Sequence, residues 1–210
     1  MVKKKASKSQ EKQIFQFKVE LEDTSPVVWR SFQVPHSISF YELHEVLQVV
    51  MGWMNSHLFM FRSGDLIITE ESDEDSWEDA EFRDAREIKL HELISAPKDK
   101  IVYEYDFGDS WEHTLTLEKI LTEEEVQFAV PRCTAGAYAC PPEDCGGVPG
   151  FERIKQIMSN SKNDEYLDTI QWLDHYYPNY DPKEFSLGQV NKVLKVGVGK
   201  YFRVMQKLYS

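Results

Sequence analysis

The segment from Tyr103 to His113 constrains the fold of this chain most, because apolar and polar side chains alternate on both sides of a short turn. Alternation with a period of two is typical of a β-strand that has one buried face. The residues between the two runs, Gly108, Asp109 and Ser110, are typical of a hairpin turn. We therefore predict a β-hairpin over residues 101–120.

The register of this hairpin brings acidic side chains together. With a three-residue turn, Asp106 faces Glu112 and Tyr105 faces His113 across the strand pair. Two facing carboxylates destabilise a sheet unless a cation or a hydrogen-bond donor lies between them. The sequence therefore predicts either a different register or a partner for these two acids.

Strand patterns dominate the first half of the chain, and helical spacing dominates its end. The run from Ser39 to Glu42 matches a helix capping box, and Gly52 suits the end of that helix. A second capping box lies between Ser186 and Gln189. The patterns predict strands at residues 14–21, 27–34, 57–61 and 65–69, and helices at residues 40–51, 151–158, 166–173 and 187–194.

Strands followed by helices, without regular βαβ alternation, favour an α+β fold. We predict an antiparallel sheet with helices packed on one face and a helical C-terminal part. The expected organisation is a disordered basic tail at residues 1–12, one α+β domain at 13–180 and a C-terminal helical extension at 181–210.

The charge of the chain limits its partners. The formal net charge is −12, and without the first twelve residues it is 19 − 35 = −16. An acidic body repels nucleic acid and anionic membranes. No apolar run reaches the length of a membrane span, and the N-terminal residues do not resemble a secretory signal. Three cysteines suit a reducing compartment, so we expect a cytoplasmic protein.

The stretch from Glu70 to Glu81 holds eight acidic residues and no basic one. Like charges at this density repel one another, which predicts an exposed and dispensable loop. Trp77 is the residue that could anchor it to the body.

The three cysteines, Cys133, Cys140 and Cys145, are spaced too widely for a structural zinc knuckle. We therefore favour packed or free thiols. A zinc site at these cysteines would have to recruit His57, His113 or Asp144 through space.

The loop at residues 140–150 leads from the cysteines into a predicted helix. Gly146 and Gly147 expose backbone N–H groups at the helix start, which favours anions. The Lys-Ser/Thr ending of a phosphate-binding loop is absent from the sequence here, and Glu143 and Asp144 oppose a phosphate. We predict that Asp144 accepts hydrogen bonds from nearby amides, while Glu143 faces the predicted groove.

Five motifs, in this order, resemble the plasmid pRiA4b ORF-3-like family over about residues 15–177. The resemblance implies an α+β domain found in bacteria and archaea, sometimes on plasmids or other mobile elements, with no established activity. It marks His57, Asp106, Asp109, Trp111, His113, Glu143 and Asp144 as positions of interest. The matching segments are residues 27–30 (VVWR), 43–48 (LHEVLQ), 51–61 (MGWMNSHLFMF), 105–113 (YDFGDSWEH) and 140–147 (CPPEDCGG).

Our leading hypothesis for the function is a non-catalytic binding module. The hairpin and the 140–150 loop would form an aromatic and acidic groove for a peptide, a basic protein partner or a small ligand, with Tyr103, Tyr105, Trp111 and Trp53 as stacking surfaces. No cofactor is predicted for such a module. The ligand-binding candidates are His57, Tyr105, Asp106, Asp109, Trp111, His113, Glu143 and Asp144.

The alternative hypothesis is a metal-dependent hydrolase that holds zinc or another divalent cation through His57, His113 and an aspartate. Either hypothesis expects Asp106, Asp109 and His113 to meet His57 at one end of the sheet. The resemblance adds a third and weaker possibility, an accessory protein of a mobile element. The metal-ligand candidates are His57, His113, Cys133, Cys140 and Cys145.

Overall fold

A computed structural model of the chain describes the backbone of residues 13–70 and 81–209, and the side chains up to residue 204. The predicted basic tail at residues 1–12 lies outside the described residues. Most of the predicted acidic loop, including Trp77, also lies outside them.

The core of the fold is one eight-stranded sheet in the order β5-β4-β3-β6-β7-β1-β2-β8. Neighbouring strands are antiparallel except β4 and β5, which are parallel. The strands are β1 (Gln13–Leu21), β2 (Trp29–Pro35), β3 (Phe59–Ser63), β4 (Leu66–Thr69), β5 (Glu81–Asp84), β6 (Lys100–Tyr105), β7 (Trp111–Thr122) and β8 (Arg132–Ala137).

Six helices accompany the sheet within the described residues, which confirms the α+β class. Helix α1 packs on β2 and contacts the two C-terminal helices, while α3 packs against α4. The helices are α1 (Phe40–Met51), α2 (Leu90–Leu93), α3 (Gly147–Met158), α4 (Tyr166–Tyr176), α5 (Leu187–Val196) and α6 (Val198–Tyr209). None of them combines the length and the apolar composition that crossing a lipid bilayer requires.

Helix α1 forms as its sequence predicts. The Ser39 hydroxyl accepts a hydrogen bond from the Glu42 backbone N–H at 3.1 Å, and the Glu42 carboxylate accepts one from the Ser39 N–H at 2.7 Å. Gly52 ends the helix with a φ of 105°, which a residue without Cβ adopts without strain. The helix buries its apolar face, including Leu43 and Leu47, in the main core.

The hairpin of β6 and β7 is present, but its predicted register was wrong by two residues. Tyr103 pairs with His113, and Tyr105 pairs with Trp111. The turn is longer than expected because Asp106 leaves the strand with a φ of 59°, and its carbonyl accepts a hydrogen bond from Ser110 N–H at 2.6 Å. A shift of two residues keeps each side chain on its predicted face.

The two facing carboxylates are therefore Glu104 and Glu112. Arg62 on the neighbouring strand β3 lies between them, with its Nη2 3.0 Å from Glu112 and 3.9 Å from Glu104. A cation near both acids offsets the repulsion between them.

The outer strand β8 is bonded to helix α5 through one side chain. The Asn191 amide accepts a hydrogen bond from Cys133 N–H at 3.0 Å and donates one to the Cys133 carbonyl at 2.9 Å. It thereby occupies the backbone N–H and C=O of Cys133, two of the groups that a further strand would use. Leu194 of α5 and Phe202 of α6 are buried in the same core as the sheet.

Candidate functional site

Three side chains that can bind a metal meet at one end of the sheet. His57 lies just before β3, Asp106 follows β6, and Asp144 lies in the loop before α3. The His57 Nε2 is 3.6 Å from Asp106 Oδ2 and 3.4 Å from Asp144 Oδ1. All three candidate ligand atoms lie within 4.8 Å of one another.

The His57 Nε2 atom is buried, and no group of the described residues makes a hydrogen bond to it. Its separations from the two carboxylate oxygens exceed the about 2.7–2.9 Å of a charge-assisted hydrogen bond. A buried nitrogen without a partner costs free energy, so its position between two acids calls for an explanation.

Asp106 is held in place by its own turn. Its side chain is 11% exposed, and Oδ1 accepts a hydrogen bond from Gly108 N–H at 3.0 Å. Its backbone N–H donates a hydrogen bond at 2.9 Å to the carbonyl of Leu58, the residue that follows His57. These bonds orient Asp106 so that its second oxygen, Oδ2, faces the imidazole.

Glu143 and Asp144 have the opposite roles to those predicted. Glu143 is 5% exposed, and its Oε1 accepts hydrogen bonds from Met54 N–H at 2.9 Å and from the Tyr105 hydroxyl at 2.7 Å. The Asp144 side chain is 76% exposed and points to His57. The predicted roles were wrong because the two donors, Met54 N–H and the Tyr105 hydroxyl, are distant in the sequence. In the fold they meet at Glu143 and not at Asp144.

Two tyrosines fix the loop through Glu143. Burial, reinforced by the nearby Glu143 carboxylate, raises the pKa of Tyr105 well above its usual value, so its hydroxyl stays protonated and donates. The Glu143 N–H donates to the Tyr177 hydroxyl at 2.8 Å. Asp144 is therefore anchored through its neighbour in the chain. The sequence analysis missed Tyr177, which no motif marked.

Asp109 also binds the loop rather than His57. Its Oδ2 accepts a hydrogen bond from Gly146 N–H at 3.1 Å. A Cβ at Gly147 would lie 2.8 Å from the Asp109 carbonyl oxygen, so the close approach of hairpin and loop requires glycine there. Asp109 thus joins the turn that carries Asp106 to the loop that carries Asp144.

His113 was predicted at the site but lies in the core. It is fully buried, its Nδ1 is 3.2 Å from the Tyr103 carbonyl, and its ring centroid is 5.2 Å from that of Trp53. Burial lowers the pKa of His113 to about 4, so the imidazole is neutral at physiological pH. The group formed by His57, Asp106 and Asp144 does not include it.

The prediction of an aromatic groove was also wrong. Its four predicted stacking residues are at most 2% exposed, because they pack against one another and against α1. A ligand cannot stack on rings that are already covered. The four residues are Tyr103, Tyr105, Trp111 and Trp53.

The cysteines are packed thiols. Burial raises the pKa of Cys133 to about 11 and that of Cys145 to about 12, so both are protonated at neutral pH. Cys140 is buried as well, and no disulfide links the three. The metal-compatible group found among the described residues contains none of them.

A cleft of about 330 Å³ opens beside Asp144, between α3 and α4. Its walls include Ile154 and Arg153 of α3 and Asp168 and Trp172 of α4. The sequence analysis missed this cleft. The spacing of Asp168 and Trp172, four residues apart on a helix, is the signal that could have indicated a shared face.

Comparisons with known proteins give a family but no activity. The family model for plasmid pRiA4b ORF-3-like proteins matches residues 13–189. The uncharacterized protein y4hQ of Sinorhizobium fredii is 34% identical over 194 residues, which cover 90% of this chain and 95% of that protein. The crystal structure of MM3350, a protein of unknown function from Methanosarcina mazei Go1, is similar with a TM-score of 0.74 and 32% identity, covering 85% of this chain and 97% of that one.

Proposed function

The chain belongs to the plasmid pRiA4b ORF-3-like family, and we propose that it binds a divalent cation through His57, Asp106 and Asp144 and uses that ion in hydrolysis. The proposal keeps the metal hypothesis from the sequence but replaces His113 with Asp144. The burial of the aromatic rings removes the support for the stacking groove.

The observation that carries the proposal is the spacing of the ligand atoms. Bonds of about 2.0–2.1 Å to a tetrahedral zinc ion place neighbouring ligand atoms about 3.4 Å apart. The His57 Nε2 lies 3.4 Å and 3.6 Å from the two carboxylate oxygens. An ion between these atoms would also give the buried Nε2 a bond in place of the hydrogen bond that no described residue makes to it.

The ligand set suits a catalytic ion. One imidazole and two carboxylates are ligands of Zn²⁺ and Mn²⁺, and three protein ligands leave a coordination position for water or substrate. Such an ion, when bound, would supply Lewis-acid activation of water for hydrolysis. The bonds of Asp106 to its own turn would orient a ligand in the way that supporting contacts do in metal sites.

Metal titration tests the binding step. Metal-stripped, untagged protein is titrated calorimetrically with Zn²⁺ and Mn²⁺, and we expect one site per chain. His57→Gln and Asp106→Asn should each weaken binding by more than about tenfold. The matched controls are His91→Gln and Asp65→Asn, which change exposed residues outside the group. Equal affinities for the site variants and the controls would refute the site.

Hydrolysis is tested separately with p-nitrophenyl acetate and bis(p-nitrophenyl) phosphate. Metal-loaded protein should cleave one of them faster than metal-stripped protein, and Asp106→Asn should remove the difference. Tight binding without any metal-dependent cleavage of these esters would contradict the hydrolytic part of the proposal and leave the ion as a binding group.

A further inference from the structure

The cleft between α3 and α4 adjoins the proposed metal site, because Asp144 belongs to both. A ligand in the cleft would therefore lie beside one of the three proposed ligands of the ion, Asp144. The side chains that line the cleft then indicate which chemical group of a ligand would bind there.

Within the part of the chain that the structure describes, three carboxylates and one guanidinium line the cleft. The guanidinium, on Arg153, is paired with Glu165, since its Nη2 lies 2.7 Å from each of the two carboxylate oxygens. Glu165 is therefore occupied by Arg153, and Asp144 is a proposed ligand of the ion. The third carboxylate of the cleft, Asp168, is the one that remains for a ligand.

Asp168 lines the cleft together with an aromatic residue of the same helix. It precedes Trp172 by four residues on α4, and both line the cleft. Side chains with this spacing are neighbours on a helix. A carboxylate next to an indole attracts a protonated amine, through charge from the acid and through the electron-rich face of the ring.

We propose that this cleft binds the ammonium group of a ligand whose oxygen-bearing end lies on the metal ion. The contact with the ion rests on the proposed function, whereas the ammonium contact rests on Asp168 and Trp172. The acidic charge of the chain, −12 overall, favours a cationic ligand over an anionic one.

Three hydroxamates test the inference, because each has the same metal-binding group and a different far end. The probes are ε-aminocaprohydroxamate, caprohydroxamate and adipic acid monohydroxamate, which end in an amine, a methyl group and a carboxylate. Binding to the zinc-loaded protein is measured by calorimetry. We expect the amine probe to bind at least about fivefold more tightly than the methyl probe, and the acidic probe most weakly.

Asp168→Asn should remove the preference for the amine and leave zinc affinity within about twofold. The matched control is Asp174→Asn, which changes an exposed acid of α4 outside the cleft and should keep the preference. Equal affinities for the three probes, tightest binding of the acidic probe, or an unchanged preference in Asp168→Asn would each overturn the inference.

A protein that binds neither Zn²⁺ nor Mn²⁺ would refute the proposed function and still permit a test of the cleft. In that case, cadaverine and pentanediol are added to metal-free protein while the Trp172 indole N–H is followed by NMR. Cadaverine should shift this signal in the original protein and not in Asp168→Asn, and pentanediol should leave it unchanged. No shift with cadaverine would overturn the ammonium site.

Discussion

Acidification should destabilise this protein through His44, which is buried in α1. Its ring stacks on Phe59 with 3.6 Å between centroids, and Nε2 lies 2.7 Å from Asn55 Oδ1. Nδ1 is 2.8 Å from the Tyr103 hydroxyl. The oxygen of this hydroxyl accepts a hydrogen bond from the Gln48 amide at 3.0 Å. These partners fit a neutral imidazole that donates from Nε2 and accepts at Nδ1. A second proton on the ring would turn the Tyr103 hydroxyl away from its acceptor.

The size of the effect follows from proton linkage. Burial lowers the pKa of His44 from 6.5 to about 3. Because the folded chain takes up this proton less readily than the unfolded chain, the stabilising contribution is complete above the unfolded pKa and is lost as the pH falls toward the folded pKa. At about pH 5 the loss from His44 alone is about 2 kcal/mol.

Urea unfolding at about pH 8 and about pH 5, of the original protein and of His44→Gln, measures this contribution. The variant should lose about 2 kcal/mol less than the original protein over this change of pH. His91→Gln, at an exposed histidine, is the control for the replacement of one imidazole. If the pH dependence of His44→Gln also matches that of the original protein, the reasoning about burial is refuted.

Two substitutions test the contacts that hold β8 and the 140–150 loop. Asn191→Ala removes two hydrogen bonds to Cys133 and should lower the free energy of unfolding in urea by about 1–3 kcal/mol. Glu143→Ala leaves the Met54 N–H and the Tyr105 hydroxyl without their acceptor, and should cost a similar amount, about 1–3 kcal/mol. Asp144→Ala should change the stability of metal-free protein by less than about 0.5 kcal/mol, and a larger loss than that of Glu143→Ala would show that the roles are assigned wrongly.

Local patterns predicted the elements whose causes are local. The capping box at Ser39 and the turn at Gly52 set the ends of α1 within a few residues of sequence. Strict alternation identified the hairpin of β6 and β7, although it could not fix the register. The register depends on the backbone of Asp106, whose left-handed φ lengthens the turn.

Roles that depend on distant partners were not predictable from one sequence. Glu143 and Asp144 are adjacent acids, and only the folded chain brings Met54 and Tyr105 to one of them. His113 has the residue type of a metal ligand, but its place in the strand pair packs its ring edge-on with Trp53 in the core.

Some elements gave no clear sequence pattern at all. Strand β8, with the sequence RCTAGA, lacks the alternation of large apolar and polar residues that marks a half-buried strand. It is completed by contacts with β2 on one side and with α5 on the other. Strand β5 is short and pairs in parallel with β4, so no hairpin turn in the sequence indicates it.

The bonds between Asn191 and Cys133 at the outer edge of β8 have a consequence for the synthesis of the chain. Cys133 leaves the ribosome 58 residues before Asn191. At about 5–20 residues per second, translation of this interval takes about 3–12 s. During that time β8 can already pair with β2, while Cys133 at its outer edge lacks the amide that later bonds it. An uncovered edge accepts strands from other chains, so nascent copies on one messenger are exposed to edge-to-edge association until α5 is made.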